Sequence, residues 1–374
     1  MNSLYDNRTL QWIVYFVFFA VLAVLPMFIE NAFTTNLFSR FIVLGMLALS
    51  VSVVWGFGGI LSLGQGIAFG LAAYGMGMTM QMQSQDPVNA PIPSFMLTNE
   101  LTELPTLWVP FWHTPTGIAL ALIVPTIFFG VFGALMFQAR LVGVFVAIVT
   151  LAMLSAWYSM AFDMQPYTAG FNGISPPAPL NIAGHAIDPY SHEAYWIVLA
   201  FLAALTLGMK LLLSTKFGLV VQAIRDDPER ARFLGYSVAG YQVTIFTISG
   251  FIAAVAGVLW VMIVQYVSPT ALEVQFSVSM VIWAAVGGRM SLLGAIIGAF
   301  FVNGIQSYLG DELLYGFLLV LGGLFIVIVR FLPNGLAGLL EMALARIGRS
   351  KAPGPDAEPG TPPVAASAAP RSQV

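Results

Sequence analysis

Long apolar stretches alternate with short polar connections along most of the chain. Ten stretches come close to the roughly 20 apolar residues that an α-helix needs to cross the hydrocarbon core of a membrane. They cover residues 11–29, 37–57, 61–80, 116–137, 142–162, 194–213, 241–267, 274–290, 291–309 and 313–332. Because only a helix satisfies its own backbone polar groups in lipid at such lengths, the pattern predicts an all-α, polytopic membrane protein with about ten transmembrane helices.

The connections between these stretches predict the orientation of the protein. Segments 81–115 and 163–193 contain acids but no Lys or Arg, whereas segment 214–240 contains four of the basic residues. Since basic loops stay in the cytoplasm, 214–240 is predicted to be cytoplasmic, together with both termini. Residues 351–374 are rich in Pro, Ala, Gly and Ser, so we expect a transmembrane domain over 1–345 and a disordered cytoplasmic tail over 346–374.

Composition narrows the function. The 374 residues are 59% hydrophobic and only 8% charged, and the net charge of −3 argues against nucleic-acid binding. The absence of cysteine excludes disulfides, thiolate metal sites and cysteine nucleophiles. The predicted spans contain no paired carboxylates or other catalytic group, which argues against an enzyme. No Asp or Glu lies in the middle of a span, which disfavours ion-coupled transport and favours a neutral or zwitterionic substrate.

The basic segment also has the signals of a short helix. Asp226 or Asp227 can cap its start, Pro228 suits the first turn, and Glu229 complements the positive end of the helix dipole. Gly235 then ends it. This helix would present its charges to a partner; the alternative is a solvated loop that merely obeys the positive-inside rule.

Two glycine-rich segments resemble each other, at 58–70 and 287–298. Each places Gly-Gly before Ser-Leu and continues with further glycines, which permits close helix packing and also marks transport pathways. Polar residues within the spans have the same two interpretations, because they either line a path or form hydrogen bonds between helices. The candidates for the path are Ser62, Gln65, Tyr74, Thr150, Asn303 and Gln306.

Residues 223–235, Ala-Ile-Arg-Asp-Asp-Pro-Glu-Arg-Ala-Arg-Phe-Leu-Gly, resemble the cytoplasmic coupling loop of ABC importer permeases of the branched-chain amino acid and urea group. Segments 62–74, 286–299 and 331–339 resemble the same group. The resemblance implies a coupling helix that docks on an ATPase subunit. The residues that it assigns to coupling are Arg225, Asp226, Asp227, Glu229, Arg230, Ala231, Arg232 and Gly235.

The resemblance also implies the surroundings of the chain. They are the inner membrane, a second similar permease, two cytoplasmic ATPases that bind ATP and magnesium, and a periplasmic substrate-binding protein. No cofactor is expected in this chain, which contains no phosphate-binding loop of the Walker type.

Within the group, the chain is most similar to the urea permeases, in segment 214–236, in Gly287-Gly-Arg289 and in the long insertion at 93–108. It departs from them at Val149-Thr-Leu-Ala152 and at Ala169-Gly-Phe-Asn-Gly173. The expected substrate is therefore urea or a similar small neutral amide. A branched-chain amino acid is the alternative within the class, and an ion-coupled carrier or passive channel is the alternative outside it.

Overall fold

The computed structural model describes residues 8–86, 91–182, 184–309, 322–323 and 335–338. Helices account for most of these residues. Their bounds are α1 Arg8–Val24, α2 Ala32–Val51, α3 Gln65–Gln83, α4 Ser94–Thr98, α5 Thr114–Gln138, α6 Val144–Asp163, α7 Gln165–Thr168, α8 His192–Leu213, α9 Lys216–Asp226, α10 Pro228–Phe233, α11 Val238–Val264, α12 Val274–Gly287 and α13 Leu292–Leu309. A π-helical turn, Ser52–Phe57, continues α2.

The described helices confirm a mostly helical membrane protein. Six of them are long and apolar enough to cross a membrane, or seven if α12 and α13 are counted as one bent span. Ten crossings and two cytoplasmic termini are not confirmed by this count and stay predictions. The predicted span at 313–332, except for residues 322–323, and the predicted tail at 346–374 lie outside the described residues.

The core of the bundle is formed by α2, α3 and α11. Side chains of α3 from Gln65 to Met82 are buried almost without interruption. Close contact with α11 depends on Gly257, where an added Cβ would overlap the carbonyl oxygen of Phe69. Because α3 is surrounded by protein rather than lipid, it tolerates glutamines and glycines that make it less apolar than its neighbours.

The pair α12 and α13 is counted as at most one bent span, so the two separate crossings predicted here are not confirmed. The two helices are bent by 117° relative to each other at a short break, which is typical of a broken span or a re-entrant loop. With 14 residues, α12 is only about 21 Å long, less than the roughly 30 Å of a hydrocarbon core. The sequence had predicted two spans here because both helices are apolar.

The connections at the end of the bundle opposite α10 contain short elements. A small antiparallel hairpin joins β1, Asn181–Ile182, to β2, His185–Ala186, and is a minor exception to the all-α prediction. Ile174 forms an isolated bridge with Val267, just beyond α11. These contacts fix segment 163–193 against the ends of the long helices.

The first helix lies at the edge of the bundle and is attached mainly to α8. Tyr195 Oη donates to the carbonyl oxygen of Leu22 at 2.7 Å. At the other end of α8, Lys210 Nζ lies 4.3 Å from the ring centre of Trp12 and 3.7 Å from that of Tyr15. A cation over aromatic faces is attractive, so the two ends of α1 are held by different interactions.

Candidate functional site

The basic segment folds into two consecutive helices, α9 and α10. Asp227 is the N-cap of α10, and its Oδ1 accepts from the backbone N–H of Arg230 at 2.9 Å. Pro228 occupies the first position, where a missing N–H costs nothing. Of the two aspartates proposed as caps, the structure therefore selects Asp227, while Asp226 ends α9.

Gly235 ends α10 as the sequence predicted. Its φ of +88° lies in the left-handed region. The N–H of Tyr236 donates to the carbonyl of Ala231 at 3.2 Å, and the N–H of Gly235 donates to that of Arg232 at 3.0 Å. These two bonds form a Schellman motif, which favours glycine at this position.

The predicted coupling residues of this region divide into an inner and an outer group. Ala231 is buried and packs with Ile224 and Val238, which fastens α10 to α9 and α11. Glu229 and Arg232 form an ion pair of 2.6 Å, and Asp227 and Arg230 one of 3.5 Å. Since both pairs are exposed, each contributes less than about 1 kcal/mol to stability, so these charges remain available to a partner.

Two exposed apolar side chains at the end of α10 were not among the coupling residues predicted from the sequence. Phe233 is 90% exposed and Leu234 is 72% exposed, at the end of α10. We call Glu229, Arg230, Arg232, Phe233 and Leu234 the α10 surface. The sequence does contain a signal for this surface. Two consecutive apolar residues stand in a charged segment, directly before the glycine that ends the helix. Exposed apolar groups rimmed by charges are typical of a protein interface.

A second candidate site lies inside the bundle, where residues 58–64 interrupt the path from α2 to α3. We call these residues the interior break. Ile60 and Ser62 are buried, although the segment has no regular secondary structure. Gln65, which follows it, donates from Nε2 to Ser249 Oγ at 3.2 Å, near the middle of α11. Non-helical backbone at such depth requires polar partners from the protein.

Hydroxyl groups from two helices supply those partners. The N–H of Leu63 donates to Thr150 Oγ1 of α6 at 3.1 Å. The carbonyl of Leu63 accepts from Ser277 Oγ of α12 at 2.6 Å. Ser62 Oγ accepts from the N–H of Gly64 at 3.2 Å. The backbone of one residue of the interior break, Leu63, is thus held by two helices that are distant in sequence.

Most of the predicted pathway residues lie in the interior of this chain. Ser62, Gln65, Tyr74, Thr150 and Asn303 are buried, and Gln306 is exposed. The structure brings Ser62, Gln65 and Thr150 together at the interior break.

The other three pathway candidates lie apart from the interior break. Asn303 is buried and donates to the carbonyl of Ala299 within its own helix at 2.8 Å, whereas Gln306 is exposed. Gln65 Oε1 and Tyr74 Oη have no hydrogen-bond partner among the described residues. A substrate contact for the six candidates stays a prediction.

We expect Thr150→Val to lower the stability of the protein. The change keeps the side-chain shape but removes the acceptor of the Leu63 N–H, and an unsatisfied buried donor costs about 1–3 kcal/mol. Thermal unfolding in detergent measures this loss. Thr126→Val in α5 is the matched control, because among the described residues the Thr126 hydroxyl bonds only to Leu122 of its own helix. Equal melting temperatures for both variants would contradict the role assigned to Thr150.

The π-helical turn directly before the first glycine segment meets the second glycine segment at the α10 end of the bundle. Ser52 Oγ donates to the carbonyl of Arg289 at 2.9 Å, and an added Cβ on Gly56 would overlap that same carbonyl oxygen. Gly335, with a φ of +64°, packs on the backbone of Gly288. Close backbone approach therefore explains Gly56 and Gly335, and an added Cβ on Gly287 or Gly298 of the second segment would likewise overlap backbone atoms. A pathway role for the pair of segments stays a prediction.

Comparisons with known proteins agree with this architecture. The family model described as "Branched-chain amino acid transport system / permease component" matches residues 33–329. The high-affinity branched-chain amino acid transport system permease protein LivM of Escherichia coli strain K12 is 26% identical over 353 residues, covering 88% of this chain and 76% of LivM.

Two other relatives match shorter parts. The autoinducer 2 import system permease protein LsrC of Klebsiella pneumoniae is 35% identical over 119 residues, which is 30% of this chain and 34% of LsrC. The fructose import permease protein FrcC of Rhizobium meliloti is 38% identical over 96 residues, which is 24% of this chain and 26% of FrcC. No solved structure matches.

Proposed function

The chain belongs to the family of branched-chain amino acid transport permease components, and on that premise we propose that it is the transmembrane permease subunit of an ATP-driven ABC importer. Proteins of this family are multi-pass proteins of the inner membrane, and the described helices fit that location. Its relatives are transport permeases rather than enzymes. The observation that carries the proposal is the α10 surface, a capped helix outside the bundle core with exposed charged and apolar side chains.

The proposed complex contains this chain, a second similar permease, two ATPases on the cytoplasmic side and a periplasmic binding protein. In this arrangement ATP and magnesium bind to the ATPases, and this chain carries no cofactor. The α10 surface faces the cytoplasm and receives an ATPase. Closing and reopening of the ATPases moves α10, which alternates access to a path between the two permeases.

The proposed substrate is urea or a similar small neutral amide. A neutral substrate is supported by the positions of the acids, since Asp163 and Glu193 stand at the ends of α6 and α8. Branched-chain amino acids are the second candidate, because the relatives with the longest matches are named for their transport. A zwitterionic substrate would likewise need no balancing buried charge.

Uptake by the reconstituted complex tests both the class and the substrate. The complete complex is placed in proteoliposomes, and ATP-dependent uptake of labelled urea is compared with that of labelled leucine. We expect uptake only with hydrolysable ATP and with urea preferred. Preference for leucine would establish the second candidate. Uptake without the ATPases, or uptake driven by an ion gradient, would instead identify a channel or a carrier.

A further inference from the structure

Arg225 differs from the other arginines of its segment in where its side chain lies. It is 19% exposed, compared with 81% for Arg230 and 42% for Arg232. Asp226 Oδ1 lies 2.8 Å from Nε and 2.8 Å from Nη2, which fixes the plane of the guanidinium group. This orientation turns Nη1 away from solvent and toward the bundle.

The guanidinium group contacts two other elements at once. Arg225 Nη1 donates to the carbonyl of Gly56 at 3.1 Å, at the end of the π-helical turn that precedes the interior break. The same nitrogen lies 3.3 Å from Met290 Sδ, in the turn between α12 and α13. One side chain therefore connects the end of α9, directly before α10, with the π-helical turn and with the second glycine segment.

Gly59 leaves space for the side chain of Arg225. A Cβ on Gly59 would lie 2.6 Å from Cγ of Arg225, so the aliphatic part of the side chain occupies the place of a missing side chain. The φ of Gly59 is +71°, a second reason for glycine here. Behind this contact, the backbone at Gly56 rests directly on Arg289. Arg225 is thus seated between Gly59, the carbonyl of Gly56 and the side chain of Met290.

Both elements that Arg225 contacts are connected to Leu63 of the interior break. Gly56 continues through the interior break to Leu63, and the turn at Met290 continues back through α12 to Ser277. Ser277 Oγ donates to the carbonyl of Leu63 at 2.6 Å. A cavity of about 130 Å³ adjoins this junction and is lined by Gly58, Gly59, Arg225 and Pro228 among others, so the side chain has room to shift.

We propose that Arg225 is a positioning residue that passes movements of α10 to the interior break, and that it does not contact the ATPase. The proposal rests on the proposed function, since it assigns a direction to the coupling that an ATP-driven importer requires. It separates two roles within the predicted coupling residues. The α10 surface binds the partner, while Arg225 transmits the resulting displacement to the inside of the bundle.

The test uses the complete complex in proteoliposomes with Arg225→Gln and Arg225→Lys. We expect both variants to copurify with the ATPases in normal amounts. In Arg225→Gln, ATP hydrolysis continues, but its stimulation by loaded binding protein and the uptake per ATP both fall about tenfold. Arg225→Lys restores part of the uptake, because lysine keeps one charged donor without the planar fork. Lys216→Gln, an exposed site on the same helix, is the matched control and stays like the wild type.

Four results would count against the inference or against the function on which it rests. Loss of the ATPases from the Arg225→Gln complex would overturn the inference and make Arg225 a docking residue. Normal uptake per ATP in that variant would also overturn it. A lower melting temperature with unchanged uptake per ATP would show a purely structural role. Failure of the wild-type complex to import with ATP would instead refute the proposed function itself.

Discussion

A Phe233→Asp variant is expected to accumulate normally in the membrane and to import almost no substrate. Phe233 is 90% exposed, so its replacement removes little packing within this chain. An aromatic side chain buried at the centre of an interface typically contributes about 2 kcal/mol or more, which corresponds to roughly 30-fold in affinity. A buried, unpaired carboxylate adds a further desolvation cost. Copurification of the ATPases with the variant measures the loss.

Phe233→Leu is the matched control for this change. Leucine keeps an apolar group at the end of α10, so most of the ATPase binding and uptake should remain. A second possibility is that Phe233 anchors α10 in the lipid headgroups rather than in a protein partner. In that case Phe233→Asp would retain the ATPases, and a normal yield of ATPase in the variant complex would refute the interface.

A Gly56→Val variant is expected to yield little folded protein. The glycine brings the π-helical turn into backbone contact with Arg289, and no side chain fits between them. Forcing a β-branched side chain into such a contact costs about 3 kcal/mol or more, a large share of the stability of a typical domain. The amount of monodisperse protein after detergent extraction measures the effect.

Gly208→Val in α8 controls for the substitution itself. Nothing lies within 4 Å of a Cβ at Gly208, so valine adds no clash there, and it is a better helix former than glycine. We expect a normal yield from this variant. Similar losses in both variants would mean that glycine is needed for helix flexibility, and that the close contact between the π-helical turn and Arg289 is not the cause of the loss.

The sequence predicted α10 well because all of its signals are local. Asp227, Pro228 and Gly235 act on the few backbone groups next to them, so their effect can be foreseen without knowing the rest of the fold. The inward role of Arg225 could not be foreseen in this way. It depends on Gly56 and Met290, which are far away in sequence.

The interior break was not predicted from the sequence, because its residues are mostly apolar. Ile60, Leu61 and Leu63 continue the apolar pattern, so the predicted span began at 61 although α3 begins at Gln65. Helix α3 begins later than predicted because Thr150 and Ser277 provide alternative partners for the backbone of Leu63. These partners come from other helices, and hydropathy along one segment does not report them.

The pathway candidates illustrate a related limit. A serine, threonine or glutamine inside a span looks the same in the sequence whether it lines a transport path or forms a hydrogen bond between helices. Thr150 and Gln65 were selected for their polarity, but their position is set by which face of each helix packs inward. In α3 nearly every face is buried, so periodicity gave no means of separating the two cases.

The shallow attachment of α1 has a consequence for how such permeases diverge in evolution. The family match begins at residue 33, one position after the start of α2, so α1 lies outside the matched range. Only 11% of the apolar segment Gln11–Phe28, which contains most of α1, is buried, compared with 83% for the segment that begins with α2. A helix fastened mainly through Tyr195 and Lys210 can be gained, lost or exchanged between lineages while the inherited core stays intact. We expect descendants of this chain to vary first at this edge.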